Sequence, residues 1–271
     1  KKKYERIEIR KRINKAPLPA IEIIDKRKEI SLISVKLQKI ISANLSEKKQ
    51  TLLFINKRGY APFIICKKCG FSKICPNCSS SLALHNYSSK QSILLCHQCN
   101  YKEKFIHNCL NCKENNSFIF PGFGIEKIYR EIKKLYPNVK SFYISSDTIK
   151  NPDEYDGVLK KIIDNKVDII IGTQLLSKGH NFPYLKTVGI LNIDCLINNF
   201  DFRSFEKTYQ QIMQVSGRAG RKSEKGNVYI ETFQPNHPVI EMCKKYKLEE
   251  YYDWELELRK KNKHPPFSNL I

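Results

Sequence analysis

The chain has 271 residues, enough for one large hydrophobic core or two modest ones. Its formal net charge is +21, with 48 Lys and Arg against 27 Asp and Glu, which favours a polyanionic partner such as nucleic acid. No stretch is long and apolar enough to span a bilayer and no signal peptide opens the chain, so a membrane or secreted protein is not expected. An AT-rich coding sequence would also enrich Lys, Ile and Asn, so charge alone does not establish the partner.

The first part of the chain precedes a cysteine-rich block. Basic runs at 1–3 and 10–15 are typical of a solvated arm, and Lys1 in place of Met indicates a piece of a longer polypeptide. Residues 35–45 have the apolar spacing of a helix. The continuous apolar run at 51–55 then predicts a buried strand.

Eight of the ten cysteines form four Cys-x-x-Cys pairs within residues 66–112: Cys66/Cys69, Cys75/Cys78, Cys96/Cys99 and Cys109/Cys112. Without a secretory signal, this density indicates metal ligands in a reducing cytoplasm rather than disulfides. A structural zinc takes four thiolates, so eight predict two zinc sites. Cys195 and Cys243 are predicted to be buried thiols, and His97 a bystander beside ligands that already fill both sites.

Four pairs can share two ions in a sequential, crossed or nested way. The apolar stretches "APFIIC" and "SFIF" lead into and out of the block, so its ends must meet if both belong to one sheet. This favours the nested arrangement. One zinc would then clamp the neck of the insertion through Cys66, Cys69, Cys109 and Cys112. The other would hold its tip through Cys75, Cys78, Cys96 and Cys99, with a hairpin loop over 79–95.

After the block, apolar patterns alternate between helix and strand periods. They predict helices within 121–137, 154–164 and 202–215, and strands at 139–144, 167–171, 187–193 and 228–232. Continuous apolar strands separated by helices indicate a parallel sheet covered on both faces. The predicted fold class is therefore α/β.

Two loops are expected to carry the chemistry, because ligands of such sheets bind at the carboxyl ends of the strands. In the first loop, Gly172 and Thr173 leave a strand where backbone N–H groups and a hydroxyl can meet a phosphate oxygen. The cations Lys178 and His180 follow them. A glycine after a strand is also a common turn, so this loop alone identifies no site.

The second loop is "QVSGRAGR", residues 214–221. It places Arg218 and Arg221 beside Gly217 and Gly220, in a chain that has 38 Lys and only 10 Arg. Guanidinium groups bind phosphate oxygens bidentately, which lysine does less well. Surface arginines paired with carboxylates are the plain alternative. The chain contains no G-x-x-x-x-G-K-[ST] loop and no acidic box after a strand, so it has half of a phosphoryl-transfer site.

Together these stretches resemble the PriA family of primosomal replication-restart helicases (primosomal protein N′), in helicase superfamily 2. The resemblance covers nearly the whole chain. It rests on "PLPAIEIIDKR", "LLFINKRGYAPFIIC", the four cysteine pairs, "GTQLLSKGHNFP", "DFRSFEKTYQQIMQVSGRAGR", "QPNHPVI" and "HPPFSNLI". "QVSGRAGR" matches many superfamily 2 helicases, whereas the double cysteine block between "RGYAP" and a RecA-like sheet is much more specific.

The resemblance implies roles for the site residues. Arg221 would be the arginine finger on the γ-phosphate of ATP, with Arg218 and Gln214 supporting nucleotide contact and lobe coupling. The other implied nucleotide-binding residues are Gly172, Thr173, Gln174 and Gly217. The implied DNA contacts are Thr173, Lys178 and His180. ATP and Mg²⁺ would bind jointly with a first lobe that carries the P-loop and the acidic box, and the family's zinc ligands are nested.

The resemblance also implies a division of the chain. Residues 1–33 would connect from a missing first motor lobe, and 34–65 with 113–236 would form the second, RecA-like lobe. Residues 66–112 would be the zinc-binding insertion, and 237–271 a helix and the start of a C-terminal domain. Two departures stand out: Ile125 occupies a position where relatives usually carry threonine, and the loop between Cys78 and Cys96 is longer than usual.

The implied function is the second motor lobe of an ATP-dependent 3′→5′ DNA helicase that restarts stalled replication forks and helps assemble the primosome. The implied partners are forked or single-stranded DNA, other primosome proteins and single-stranded-DNA-binding protein, with no membrane, in the bacterial cytoplasm at the nucleoid. The lobe alone is expected to be inactive. Two alternatives stay open: a non-catalytic zinc-stabilised module that binds nucleic acid or protein, and a degraded remnant.

Overall fold

The structure is a computed structural model that describes residues 17–56, 63–78, 80–88, 91–144, 151–173, 182–220 and 225–268. The described strands are β1 (Ala20–Asp25), β2 (Gln50–Ile55), β3 (Ile65–Cys66), β4 (Ala83–Ser88), β5 (Gln91–Leu95), β6 (Lys102–Lys104), β7 (Phe118–Ile119), β8 (Ser141–Ile144), β9 (Ile169–Gly172), β10 (Leu185–Leu191) and β11 (Asn227–Thr232). The described α-helices are α1 (Val35–Ser46), α2 (Ile125–Leu135), α3 (Pro152–Ile163), α4 (Asp194–Ile197), α5 (Ser204–Ser216), α6 (Pro238–Lys244) and α7 (Leu248–Lys261). None of these helices is long and apolar enough to cross a membrane.

Within the described residues, one parallel sheet has the strand order β1-β11-β10-β2-β9-β8. The central strand β2 is buried along its whole length. Such a strand needs apolar side chains on both faces, which explains its continuous apolar sequence. All six strands point the same way, so their carboxyl ends form one edge of the sheet and their amino ends the other. We call these the carboxyl edge and the amino edge.

Helices cover both faces of the sheet. On one face α1 and α2 pack through residues such as Leu37, Ile41 and Ile132. On the other face α3, α5, α6 and α7 bury a second set that includes Ile212 and Tyr251. The α/β class and the two-sided covering predicted from the sequence are therefore confirmed.

Local signals at the helix starts agree with the structure. The Ser34 side chain accepts a hydrogen bond from the N–H of Leu37 at 3.2 Å and so caps α1. Asn151 caps α3 in the same way, with Pro152 at the first helical position. Ile125 begins α2 and is buried in the core, so its apolar side chain has a packing role.

Both ends of the described chain pack on the main sheet. Part of the predicted connector 1–33 is strand β1, which pairs with β11 in parallel and forms an edge of the sheet. Lys26, just after it, forms a buried ion pair with Glu231 at 3.4 Å, and Glu231 also accepts the N–H of Ser34. Helices α6 and α7, near the other end, pack into the main core. The basic runs predicted at 1–3 and 10–15 lie outside the described residues.

The cysteine-rich insertion leaves the sheet and returns to it through a narrow neck. β3 and β7 pair antiparallel there, with Ile65 opposite Ile119, so the two ends meet as predicted. They pair with each other rather than with the main sheet, however. Farther out, β4, β5 and β6 form a small antiparallel sheet, and its β4–β5 hairpin confirms the predicted hairpin.

Candidate functional site

The eight cysteines of the insertion form two compact groups. The neck group is Cys66, Cys69, Cys109 and Cys112, and the tip group is Cys75, Cys78, Cys96 and Cys99. Within each group all four sulfur atoms lie within 4.8 Å of one another. The nested pairing expected from the sequence is therefore confirmed.

The sulfur positions fit a tetrahedral ion. A zinc–sulfur bond of about 2.3 Å requires sulfur atoms about 3.8 Å apart. In the neck, the Sγ atoms of Cys66 and Cys112 are 3.7 Å apart, and those of Cys69 and Cys109 are also 3.7 Å apart. None of the ten cysteines forms a disulfide. The neck group has the spacing of a tetrahedral site, and both groups could hold one metal ion.

A repeated backbone turn shapes these groups. The residue after the second cysteine has a positive φ in three pairs, namely Gly70, Asn100 and Lys113. Each of these residues donates its N–H to the carbonyl of the first cysteine of its pair, at 2.8–3.0 Å. The turn aims both sulfur atoms at one point. Gly and Asn tolerate this conformation best, so their place after the second cysteine is a signal for the turn that cysteine spacing alone does not give.

Hydrogen bonding and burial both shift the pKa values of the tip cysteines. The N–H of Tyr101 is the main cause that lowers the pKa of Cys99, to about 7. Burial instead raises the pKa of Cys75, to about 12. Hydrogen bonding and burial thus shift the pKa values of these two tip thiols in opposite directions. His97 lies apart from these sulfur atoms: its Nε2 is 3.1 Å from that of His85, and its ring packs on Phe200.

The insertion packs against the carboxyl edge of the sheet. Phe63, Ile65 and Cys195 form a small buried cluster that includes Phe233, the residue after β11. Gly70 packs directly on the backbone of Phe233, where an added Cβ would overlap with the Phe233 carbonyl oxygen. The neck is therefore fixed to the sheet by close backbone packing as well as by side chains.

Replacing Gly70 with alanine is expected to destabilise the metal-loaded chain by about 2–5 kcal/mol. The substitution adds the cost of a positive φ, about 1–2 kcal/mol, to an overlap of about 1–3 kcal/mol. Asn100→Ala is the matched control, because it has only the backbone cost in the equivalent turn. Chemical unfolding of both variants measures the difference. Equal losses would contradict the close packing of Gly70 on Phe233.

Thr173 lies at the carboxyl edge, as predicted. It follows β9, is buried, and donates its N–H to the carbonyl of Ile144 at the end of β8, at 3.4 Å. The start of α2 lies on the same edge, because the side chain of Asn192, after β10, donates to the carbonyl of Phe123 at 3.3 Å. Gly124 caps α2 without a side-chain hydrogen bond, so its first N–H groups have no side-chain acceptor there.

The arginine turn lies at the opposite edge, which corrects the expectation that both loops meet at the carboxyl ends. Gly220 donates its N–H to the carbonyl of Leu185, the first residue of β10, at 3.1 Å. The reason is that α5 runs antiparallel to the strands, so its last turn returns to the amino edge. Of the residues expected in the two loops, Gln174, Lys178, His180 and Arg221 lie outside the described residues.

Arg218 is only 7% exposed, which is unusual for an arginine. Its charge acts on Tyr155 of α3: burial raises the pKa of this phenol, and Arg218 opposes that effect. Gln214, one turn earlier on α5, is exposed, and Gly217 ends the helix. The guanidinium group of Arg218 is thus buried, whereas the side-chain amide of Gln214 is exposed to solvent.

Sequence reasoning missed a buried carboxylate at the carboxyl edge. Asp194 begins α4 and accepts hydrogen bonds from the Thr232 hydroxyl at 2.7 Å and from the N–H of Phe233 at 3.2 Å. Burial raises its pKa to about 6, against the opposing effect of these hydrogen bonds. The hydrogen bonds to Asp194 therefore fix the turn at Thr232 and Phe233, on which Gly70 packs. An acid directly after the apolar run "GILNI" was the available signal.

The charge of Asp194 makes stability depend on pH. Its pKa rises from 3.8 to about 6 on folding, so the folded state binds more protons than the unfolded chain in this range. The free energy of unfolding therefore falls as pH rises from about 4 to 6, by up to about 3 kcal/mol. Asp194→Asn keeps a hydrogen-bond acceptor but has no carboxyl group that titrates, so it does not lose this stability as the pH rises. Its free energy of unfolding relative to that of wild type should therefore increase over this range. A difference that is constant from pH 4 to 7 in urea unfolding would contradict this role.

Comparisons with known proteins define the class. The family profile of the helicase conserved C-terminal domain matches residues 80–223, more than half of the chain, and the chain belongs to this family. It is 40% identical over 270 residues to "Replication restart protein PriA" of Rickettsia conorii, covering 98% of this chain and 41% of that protein. It is 34% identical over 272 residues to the protein of the same name in Bacillus subtilis, covering 98% of this chain and 33% of that protein.

The chain thus spans between a third and two fifths of the length of these relatives. The resemblance to PriA drawn from the motifs is confirmed. Among solved structures, that of S. cerevisiae Dbp5 bound to RNA and ADP BeF3 is similar at a TM-score of 0.42 with 10% identity. It covers 90% of this chain and 45% of that chain.

Proposed function

We propose that the chain is the second motor lobe of an ATP-dependent 3′→5′ DNA helicase that restarts stalled replication forks. The family match and the name shared by the bacterial relatives support this function. The activity belongs to the complete polypeptide. A first lobe supplies the P-loop and the acidic box for Mg²⁺, so the present chain alone does not turn over ATP.

One structural observation carries the proposal. The segment 174–181 begins after Thr173 at the carboxyl edge and ends before Phe182, whose carbonyl accepts the N–H of Leu185 at the start of β10. The same Leu185 receives the N–H of Gly220 from the arginine turn. A single short segment therefore connects the edge proposed for DNA with the edge proposed for nucleotide. This is the connection that a motor needs to couple ATP state to strand movement.

At the amino edge, the arginine turn has the chemistry for a phosphate. Arg221 is proposed as the finger that stabilises charge on the transferring phosphoryl group. Arg218, being buried, supports the turn from within the lobe, while exposed Gln214 faces the other lobe. Gly217 has no side chain that would block a phosphate from approaching the arginine turn. ATP with Mg²⁺ supplies the reaction itself when both lobes are present.

At the carboxyl edge, the groups fit a nucleic-acid backbone. The start of α2 offers backbone N–H groups at a positive helix end, and Thr173, the contact that the resemblance implies, lies buried at the same edge. Gly172 and Gln174 flank Thr173, and Lys178 adds positive charge farther along the same segment, next to the proposed contact His180. We propose that single-stranded DNA at a fork follows this edge.

The two cysteine groups are proposed to hold structural zinc ions, because four thiolates in a tetrahedron are the set that zinc prefers. The neck ion closes the insertion at its base, and the tip ion orders its outer sheet. Primosome proteins and single-stranded-DNA-binding protein are the proposed partners, in the bacterial cytoplasm at the nucleoid. The second candidate function is a zinc-stabilised binding module without catalysis, which the high net charge also supports.

An unwinding assay tests the proposed function. The complete polypeptide should separate a duplex with a 3′ single-stranded tail in the presence of ATP and Mg²⁺. The same duplex with a 5′ tail is the control and should remain paired. Binding of both substrates without strand separation would favour the binding module instead, and separation of only the 5′-tailed duplex would reverse the proposed polarity.

A further inference from the structure

The insertion presents a free strand edge. β6 is an outer strand of the β4-β5-β6 sheet. The N–H of Phe105 donates to the carbonyl of Ser92 at 3.0 Å, and the carbonyl of Tyr101 accepts the N–H of Cys96 at 2.8 Å. Because these bonds alternate along an antiparallel pair, the N–H and C=O groups of Lys102 and Lys104 point away from β5. An extended chain can pair with such an edge.

A shallow apolar depression of about 40 Å³ lies beside this edge. Ile64, Leu94 and Phe118 contribute to its lining. Ile106 and Leu110 line it as well and are 55% and 45% exposed. Two exposed branched aliphatic side chains beside an apolar depression form a surface that gains stability when it is covered.

The charge of this surface is positive. Glu103 is paired with Lys73 at 3.4 Å, so the two charges offset each other. Lys102 and Lys104 are exposed, and no ion pair in the described part of the chain involves either of them. A partner that approaches the free backbone groups of β6 therefore meets two uncompensated ammonium groups.

We propose that this surface, Lys102–Lys104 with Ile106 and Leu110, is a docking site for an extended acidic peptide segment of a partner protein. The peptide backbone adds a strand along β6, one bulky apolar side chain covers the depression, and carboxylates of the peptide pair with Lys102 and Lys104. The docking site involves the insertion alone and does not depend on the motor activity.

Two alternative roles fit the surface less well. Lysines on a short edge strand also prevent unwanted strand pairing, but that role does not account for Ile106 and Leu110 being exposed beside them. A nucleic acid would use the positive charge. The most exposed apolar side chains there, Ile106 and Leu110, are aliphatic, and the rings that line the depression, Phe71, Phe105 and Phe118, are only partly exposed, whereas single-stranded nucleic acids stack their bases on exposed aromatic rings.

Fluorescence anisotropy with a defined probe tests the proposal. The probe is a fluorescein-labelled ten-residue peptide in which aspartate alternates with leucine around one central phenylalanine, titrated with the zinc-loaded chain. Wild type should bind it, and Ile106→Ser with Leu110→Ser should weaken binding by about tenfold. Lys102→Glu with Lys104→Glu should weaken it at least as much and reduce its dependence on salt. Zinc content and circular dichroism verify that each variant is folded.

Phe120→Ser is the matched control, because Phe120 is equally exposed just after the neck strand β7 but does not line the depression. Its affinity should stay within about twofold of wild type. A peptide with serine in place of its apolar residues should bind at least about tenfold more weakly. No binding by wild type, or equal binding by all variants, would overturn the proposal. The proposal would also be overturned if oligo(dT) fully displaced the peptide and only the lysine substitutions weakened peptide binding. That result would identify a nucleic-acid surface.

Discussion

Replacing Arg221 with alanine in the complete polypeptide is expected to lower DNA-stimulated ATP hydrolysis by about 10³–10⁵-fold. An arginine finger is worth this factor in related NTPases, because its fixed charge stabilises the transition state without reorganisation. The turn that carries it is anchored to the amino edge through the bond from Gly220 to Leu185. The steady-state rate of phosphate release, with and without single-stranded DNA, measures the effect.

Arg203→Ala is a control for this experiment. Arg203 is a surface arginine near the start of α5 that pairs with Asp201 at 3.3 Å, far along the helix from the turn. Its loss should leave the rate within about twofold. Arg221→Lys should recover only a small part of the activity, since an ammonium group lacks the planar fork. A near-wild-type rate for Arg221→Ala would remove the finger role.

Loss of the neck ion is the second large expected effect. Metal binding contributes about 10–16 kcal/mol in zinc-finger peptides, which matches or exceeds the whole stability of a typical domain, about 5–15 kcal/mol. Cys66→Ser with Cys109→Ser removes two buried neck ligands. The chain should then hold one zinc per molecule instead of two. Amide hydrogen exchange at residues 63–66 and at Phe233 should become fast, because the neck cluster opens.

The tip offers a matched comparison. Cys75→Ser with Cys96→Ser also removes one buried ligand from each of two pairs. Its zinc content should fall to one as well, yet exchange at Phe233 should stay slow, because the neck still packs there. If the two double variants changed exchange at Phe233 equally, the separate role of the neck ion would be wrong.

Most of the fold follows from local patterns, and the differences have physical causes. Strands such as β2 and β9 are buried on both faces, so they read as continuous apolar runs. The edge strand β1 was missed because "AIEIID" alternates apolar and charged residues, as expected for a strand with one partner and a half-exposed face. The packing of α6 and α7 on the main core was not predicted, because helix periodicity reveals an apolar face but not the surface that covers it.

The candidate site was predicted unevenly. Cysteine spacing with the need to close the neck was enough to place all eight cysteines in the two groups that the structure shows. The arginine turn was recognised but assigned to the wrong edge, because the direction of α5 relative to the strands is a tertiary property. The brace formed by Asp194 with Thr232 and Phe233 joins residues 38 or more positions apart, and a single sequence contains no signal for such a pairing.

The coupling of the two edges is the central claim, and the DNA affinity of the complete polypeptide tests it most directly. We would measure binding of single-stranded DNA with and without a non-hydrolysable ATP analogue and Mg²⁺. A coupled motor lobe should change this affinity by about 5–150-fold, the usual range of coupling between sites, and the change should be lost in Arg221→Ala. Equal affinity with and without the analogue, in a protein shown to bind the analogue, would contradict a motor lobe and favour a binding module.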